Sequence, residues 1–510
     1  MRKVNMGRNL WMTAFACGLL LFFSGGPVLA ATEGAEGCMD CHIKITPGIV
    51  QDYLSSTMAN SIEGAHCADC HGNSHKTMED YNLVDMPTAE TCGECHEERL
   101  AEYRKGKHDL AWFAMKTQPA WHKIPDALSK EGYRGCSGCH KIGRKGYQGV
   151  LEGNMGALTH DKGLEEEQYH YGNAQCDACH TRHKFSRAEA KDPRACSNCH
   201  MGFDHPQWEM FTSSKHGIIW GIEDEDNNGR APTCQKCHMN RGRHDVGTSW
   251  GFLGLRIPTK ENVLAIIDAY GAVKESAPYE LLAFNHMSVP ELVDNLKNLA
   301  DKLPSGNFDG VDDNPLWVLH RAKYLIAAGV LSGKDLQPTP VFTAAVVQGK
   351  FARGPDEFNE LRMQMKRTCN QCHAKDYVQS HFDASDKVIR AADAVYAKAF
   401  DAVFTLYRHG KLEKPKNWTI GPNILEYYWA RSSVEQELYL IFLEHRQRAF
   451  QGAFHASNDY AHWYGWAPLN TAVNEILEGS MQLCEDHAQC KADIQLIMDG
   501  YTDIVQNKKY

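Results

Sequence analysis

The sequence predicts a mainly α-helical protein whose N-terminal half is organised by a short repeated motif instead of a conventional apolar core. Three observations carry this expectation. The pentapeptide C-x-x-C-H occurs eight times. Seven of the copies crowd between Cys38 and His238. Apolar residues then recur at helical spacing through the C-terminal part of the chain.

Residues 1–30 begin MRKVNMGR, run through the apolar stretch LWMTAFACGLLLFF and reach VLA at Val28–Ala30. This basic start, apolar middle and small-residue end are the parts of an export signal. The mature chain is expected to begin at Ala31 and to be periplasmic. No later stretch has the ~18 uninterrupted apolar residues of a membrane span.

The eight motifs are Cys38, Cys41 and His42; Cys67, Cys70 and His71; Cys92, Cys95 and His96; Cys136, Cys139 and His140; Cys176, Cys179 and His180; Cys196, Cys199 and His200; Cys234, Cys237 and His238; and Cys369, Cys372 and His373. Two thiols at this spacing add to the vinyl groups of a haem, and the adjoining imidazole becomes the proximal iron ligand. At this chain's Cys and His frequencies, chance yields on the order of a few hundredths of a match. Structural zinc also uses paired cysteines but does not require a His directly after the second one. All eight pairs carry that His, so eight covalent c-type haems are expected.

Cys17 lies in the signal segment, which leaves Cys484 and Cys490 outside the motifs. Six residues apart in an oxidising compartment, they are expected to form a small structural disulfide. The formal net charge is −10; residues 1–30 carry three basic and no acidic residues, so cleavage takes it to −13 before any haem propionates are added. An acidic body argues against nucleic acid and favours a basic redox partner, a soluble or membrane-attached cytochrome c, through electrostatic steering.

Seven motifs within one short region leave roughly thirty residues per haem, too few to enclose each in its own core. The haems must pack against one another. The chain divides accordingly into 1–30 (signal), 31–250 (seven haems), 251–380 (an active-site segment and the eighth haem) and 381–510 (helical). Within the third segment, SVPELVDNLKNLADKL has the marks of a helix start: Ser288 as N-cap, Pro290 in the first turn, Glu291 completing S-x-x-E, then Leu292, Leu296 and Leu299 on one face. In the fourth, Val388, Ala392, Val395, Ala399, Val403 and Leu406 form one stripe, continued by Leu438, Phe442, Ile494 and Ile497. Long antiparallel helices packed beside the haem region are expected.

The chain has 26 histidines, and eight belong to the motifs. Low-spin haems take a second imidazole as sixth ligand. His75, His183, His205, His244 and His381 follow attachment motifs closely, and His108 and His216 share the pattern K-H-x-x-x-W; these seven are the distal-ligand candidates.

Eight C-x-x-C-H motifs, the long gap before the last and the helical tail resemble the octahaem hydroxylamine oxidoreductase family over essentially the whole mature chain. Related nitrite and tetrathionate reductases anchor their catalytic haem with C-x-x-C-K, which is absent here. The resemblance makes the fourth haem, on Cys136, Cys139 and His140, the catalytic one. It calls for an Asp-His pair and a Tyr on that haem's open face, for which Asn285–His286 and Tyr324 are the candidates, with Asn285 standing where the family has Asp. Oxidative members add a Tyr from a neighbouring subunit, covalently joined to the catalytic haem within a homotrimer. Tyr460 fits that spacing, with Tyr464 as the alternative.

The resemblance thus implies oxidation of hydroxylamine, with hydrazine as a second substrate, to nitric oxide or nitrite, while electrons leave through the other haems. Two alternatives remain open: the same scaffold reducing nitrite or hydroxylamine toward ammonium, and a non-catalytic electron conduit.

Overall fold

A computed structural model describes residues 36–61, 64–112, 124–129, 135–143, 175–223, 229–251, 254, 355–413, 427 and 430–507. Every regular element among these residues is helical. None of the helices is long and apolar enough to cross a membrane. The signal segment and the predicted helix at Ser288 lie outside the described residues.

Up to residue 250 the helices are short, and several consist of an attachment motif and nothing else: Cys67–His71, Cys136–His140 and Cys234–His238 are each one five-residue helix. A single turn has almost no intrinsic stability, and local caps support the first and third of these. Asp69 Oδ2 accepts from the His66 backbone N–H at 2.6 Å, and Thr233 Oγ1 accepts from Lys236 N at 3.3 Å. Gln235 then ties its turn to an earlier segment, donating to the carbonyls of Ala190 and Asp192, both at 2.8 Å. Two longer helices follow the sixth motif, α1 (Gln207–Ser213) and α2 (Lys215–Glu223).

The C-terminal part is a helical bundle built from α3 (Pro355–Cys369), α4 (Lys375–Arg408), α5 (Ser433–Leu440), α6 (Arg446–Phe454), α7 (Ala467–Leu483) and α8 (Ala488–Asn507). Helix α4 is its axis and packs against α5, α6, α7 and α8. The expected stripe is present, with Ala392, Val395, Ala399, Val403 and Leu406 all buried and Val388 partly so. The stripe understates the burial, because every residue from Ile389 to Tyr407 is covered. Polar residues on the far side are enclosed as well: Arg446 Nε bonds Asp393 Oδ1 at 2.6 Å, and neither side chain is exposed. Leu438, Phe442, Ile494 and Ile497 face the same interior. Two π-helical turns, Ile441–His445 and Ala461–Trp466, interrupt the bundle.

Cys484 and Cys490 are bonded, with Cα atoms 5.3 Å apart, a spacing ordinary for a disulfide. They pin the end of α7 to the start of α8. The sixteen motif cysteines have no disulfide partner, as attachment to haem requires.

Candidate haem centres and the pocket at His140

All eight motif histidines line one connected cavity of about 3560 Å³, several times the roughly 300–1,000 Å³ that holds one small ligand. The fit to haem can be tested on the imidazoles. Metal–imidazole bonds are about 2.0–2.1 Å long, so two imidazoles on opposite faces of one iron have ring centres about 6 Å apart.

Seven motif histidines have such a partner. The pairs are His42 with His75 at 6.2 Å, His71 with His183 at 6.0 Å, His140 with His205 at 6.1 Å and His180 with His244 at 6.2 Å. They continue with His200 and His108 at 6.1 Å, His238 and His455 at 6.3 Å, and His373 and His216 at 6.0 Å. His96 has no such partner among the described residues. Paired imidazoles at bis-ligand spacing, with free thiols beside them, fit a haem at each site.

Six of the seven distal candidates therefore stand opposite a motif histidine. His381 stands elsewhere, with Nε2 3.3 Å from the Phe454 carbonyl; His216 already occupies the position across from His373. Opposite His238 the structure puts His455, which the sequence reading missed. His455 is the residue that ends α6, far along the chain from any attachment motif, and only the packing of α6 on the haem region brings it there.

Ligation through Nε2 leaves Nδ1 protonated and donating, and at three motif histidines the structure shows an acceptor for it. His42 Nδ1 lies 2.9 Å from Thr46 Oγ1, His71 Nδ1 3.0 Å from the Asp85 carbonyl and His140 Nδ1 2.7 Å from the Ala111 carbonyl. Such outer partners fix ring orientation and tautomer. Burial pushes His140, His200 and His108 down to about 4 and His238 to about 3. These imidazoles are thereby neutral at physiological pH, the form that binds a metal.

The pocket at His140 has a feature of its own. Asp204 Oδ2 lies 3.0 Å from Nδ1 of His205. Burial works to lower the His205 pKa, but the hydrogen bond and charge of Asp204 outweigh it and hold the imidazole above its ordinary value. Asp204 in turn is held below the usual carboxylate range; burial opposes this and His205 overcomes it. An Asp-His pair thus stands across from the fourth motif. The structure thus places an acid–histidine pair here in addition to the Asn285–His286 candidate from sequence, while His205 keeps the place opposite a motif histidine expected of a distal ligand. The signal was available in the dipeptide Asp204–His205, five residues beyond His200. Asn285, His286 and Tyr324 lie outside the described residues.

The two candidate tyrosines differ in exposure. Tyr460 is 8% exposed and stacks on Tyr464 at 4.9 Å, whereas Tyr464 is 54% exposed and Trp463 beside it 62%. Tyr464 is thus the more open of the two to solvent.

Comparison with known proteins agrees with this picture. A family model described as "Seven times multi-haem cytochrome CxxCH" matches residues 63–247. The chain is 31% identical to a probable nitrite reductase-hydroxylamine oxidoreductase fusion protein of Kuenenia stuttgartiensis, over 41% of this chain and 26% of that protein. It thus matches about a quarter of that relative's length. Among solved structures, a reducing HAO-like protein complex of Kuenenia stuttgartiensis superposes with a TM-score of 0.55 at 21% identity, covering 89% of this chain and 86% of that one. A hypothetical multiheme protein gives the same TM-score at 18% identity, over 89% and 96% of the two chains. Repeated motif and paired imidazoles have one common explanation, a multihaem cytochrome c region, and the chain shares its mainly helical fold with the HAO-like protein it superposes on.

Proposed function

We propose that this protein is a periplasmic octahaem oxidoreductase that oxidises hydroxylamine at the haem on Cys136, Cys139 and His140, and that it works as a homotrimer. The supporting observation is the Asp204–His205 pair facing His140. Bound haem supplies the iron that holds the nitrogen atom and the path by which electrons leave. The protein's own part is the proton chemistry. Oxidation strips protons from the substrate, and His205, oriented through Nδ1 by Asp204, presents Nε2 as acceptor. The carboxylate stabilises the imidazolium that results. The exposed Trp463 and Tyr464 support a contact between subunits, and the acidic body supports delivery of electrons to a basic cytochrome c.

A second reading has an observation of its own. The Tyr460 ring is covered by its own chain, and reductive relatives lack the tyrosine–haem bond; this favours reduction of nitrite or hydroxylamine toward ammonium.

One set of measurements tests both readings. With a cross-link through Tyr464, the ferrous spectrum has a red-shifted band apart from the ordinary Soret, and the denatured protein runs as a covalent oligomer that Tyr464→Phe releases. Ordinary c-haem spectra and denatured monomers, together with nitrite reductase activity, establish the reductive reading. A fully low-spin spectrum that hydroxylamine does not change overturns both, because the 6.1 Å spacing of His140 and His205 then marks a ligand pair and the protein is an electron conduit.

A further inference from the structure

Three glutamines link the haem region to the helical bundle in one continuous hydrogen-bond chain. Nδ1 of His200 lies 3.1 Å from Oε1 of Gln207. Gln207 Nε2 donates to Gln451 Oε1 at 2.6 Å, and Gln451 Nε2 donates to Gln447 Oε1 at 3.0 Å. Gln447 Nε2 ends the chain on the carbonyl of Phe442 at 3.4 Å, inside the π-helical turn. Both ends have a fixed polarity: a carbonyl only accepts, and an imidazole bound through Nε2 only donates from Nδ1. Each amide between them is therefore held in a single orientation, and each bond polarises the next. Gln451 makes a second connection through its backbone, whose carbonyl lies 2.8 Å from Nδ1 of His455.

We infer that Gln207 is a positioning residue for the haem on Cys196, Cys199 and His200, and that the Gln447–Gln451–Gln207 chain sets this haem's potential by giving its proximal imidazole a neutral acceptor. The inference rests on the assignment of His200 and His108 as that haem's axial pair. Two distal imidazoles have acceptors of another kind. His75 Nδ1 faces the carboxylate of Asp80 at 2.9 Å, and His205 that of Asp204 at 3.0 Å. An anionic acceptor pulls on the Nδ1 proton, makes the imidazole a stronger electron donor and stabilises oxidised iron; an amide oxygen does so less. The sixth haem accordingly sits at a higher potential than it would with a carboxylate at position 207. It also adjoins the fourth. The rings of His200 and His205 are 6.1 Å apart, and Cys139 Sγ lies 3.6 Å from the Asn198 carbonyl inside the sixth motif. A relatively oxidising neighbour draws electrons away from the haem beside the Asp-His pair.

The test is a redox titration of the haem-loaded protein, without substrate, followed by electron paramagnetic resonance. In Gln207→Glu, the reduction equilibrium constant of one low-spin haem should fall at least tenfold, which is about 59 mV for a one-electron couple. In Gln207→Leu, which removes the acceptor, the same haem should move the opposite way. Gln451→Ala should shift that haem but not the one on His238, since the backbone carbonyl holding His455 remains. Mass spectrometry of each variant verifies a full haem complement. Unchanged midpoints, or shifts of the same sign in the Glu and Leu variants, overturn the inference. Because the titration needs no turnover, a protein inactive toward hydroxylamine disproves the proposed function and leaves this result standing.

Discussion

His205 and Asp204 are neighbours in sequence and partners in space: 3.0 Å separates Nδ1 from Oδ2, and the His205 ring centre lies 6.1 Å from that of His140. Two adjacent side chains make such a contact when the backbone turns sharply between them, here in the bend between the sixth motif and α1. The contact fixes which imidazole nitrogen points into the cavity. His205→Ala should lower turnover by ~10²-fold or more, the usual worth of a positioned acid or base, with the haem count unchanged. Near-normal turnover with hydroxylamine, measured against an artificial acceptor, returns His205 to a structural role.

Every attachment motif is complete, so the denatured mature chain should carry eight haem additions by mass spectrometry. Seven or fewer in fully matured protein defeats this expectation.

His455 faces His238 at 6.3 Å and donates to the Gln451 carbonyl, which aims its Nε2 at the metal position. His455→Ala should convert one haem from low to high spin, visible by electron paramagnetic resonance. His381→Ala should leave the spin states unchanged. An inverted pattern would show that the pairing by ring spacing is wrong.

The bundle carries a fully enclosed ion pair between Arg446 and Asp393. Removing one partner leaves a buried charge without compensation, typically a cost of about 3–5 kcal/mol. Asp393→Ala should therefore lower the melting temperature far more than an exposed substitution such as Glu478→Ala. Equal effects would show that the bundle is not held at this point.

Asp493 receives His409 Nε2 at 2.8 Å, and Arg408 lies against it. Burial works to raise its pKa, but the bonds from His409 and Gln489 outweigh burial and lower it. A folded-state pKa below the unfolded value of about 3.9 means that this carboxylate stabilises the fold above that pH, and that the contribution is lost as pH falls through the lowered value. Asp493→Asn should cost stability at pH 7, and the difference from wild type in thermal melts should shrink below about pH 4. A gap that widens in acid would contradict the shift.

The covalent chemistry was legible in the sequence, because C-x-x-C-H is local: two thiols and an imidazole within five residues need no fold to meet. The helical tail was equally legible, since Ala392, Val395, Ala399 and Val403 encode their own periodicity. Pairing across the haems was not. His183 lies just past the fifth motif yet faces His71 of the second, and His108 precedes the fourth motif yet faces His200 of the sixth. Closeness to a motif marked four of these histidines and the K-H-x-x-x-W pattern two more, but neither said which motif histidine each one faces.

The sequence by itself determined how many attachment motifs there are, where they lie and that helices flank them, since those properties depend on residues in covalent reach or at a fixed helical repeat. Only the tertiary structure decided that His455 faces His238, that Asp204 and His205 stand across from His140, and that Tyr460 is covered while Tyr464 is exposed. The physical reason is that a trans-axial pair is a contact between two distant segments, set by how the short helices pack around shared haems and against α6. No local pattern records that packing.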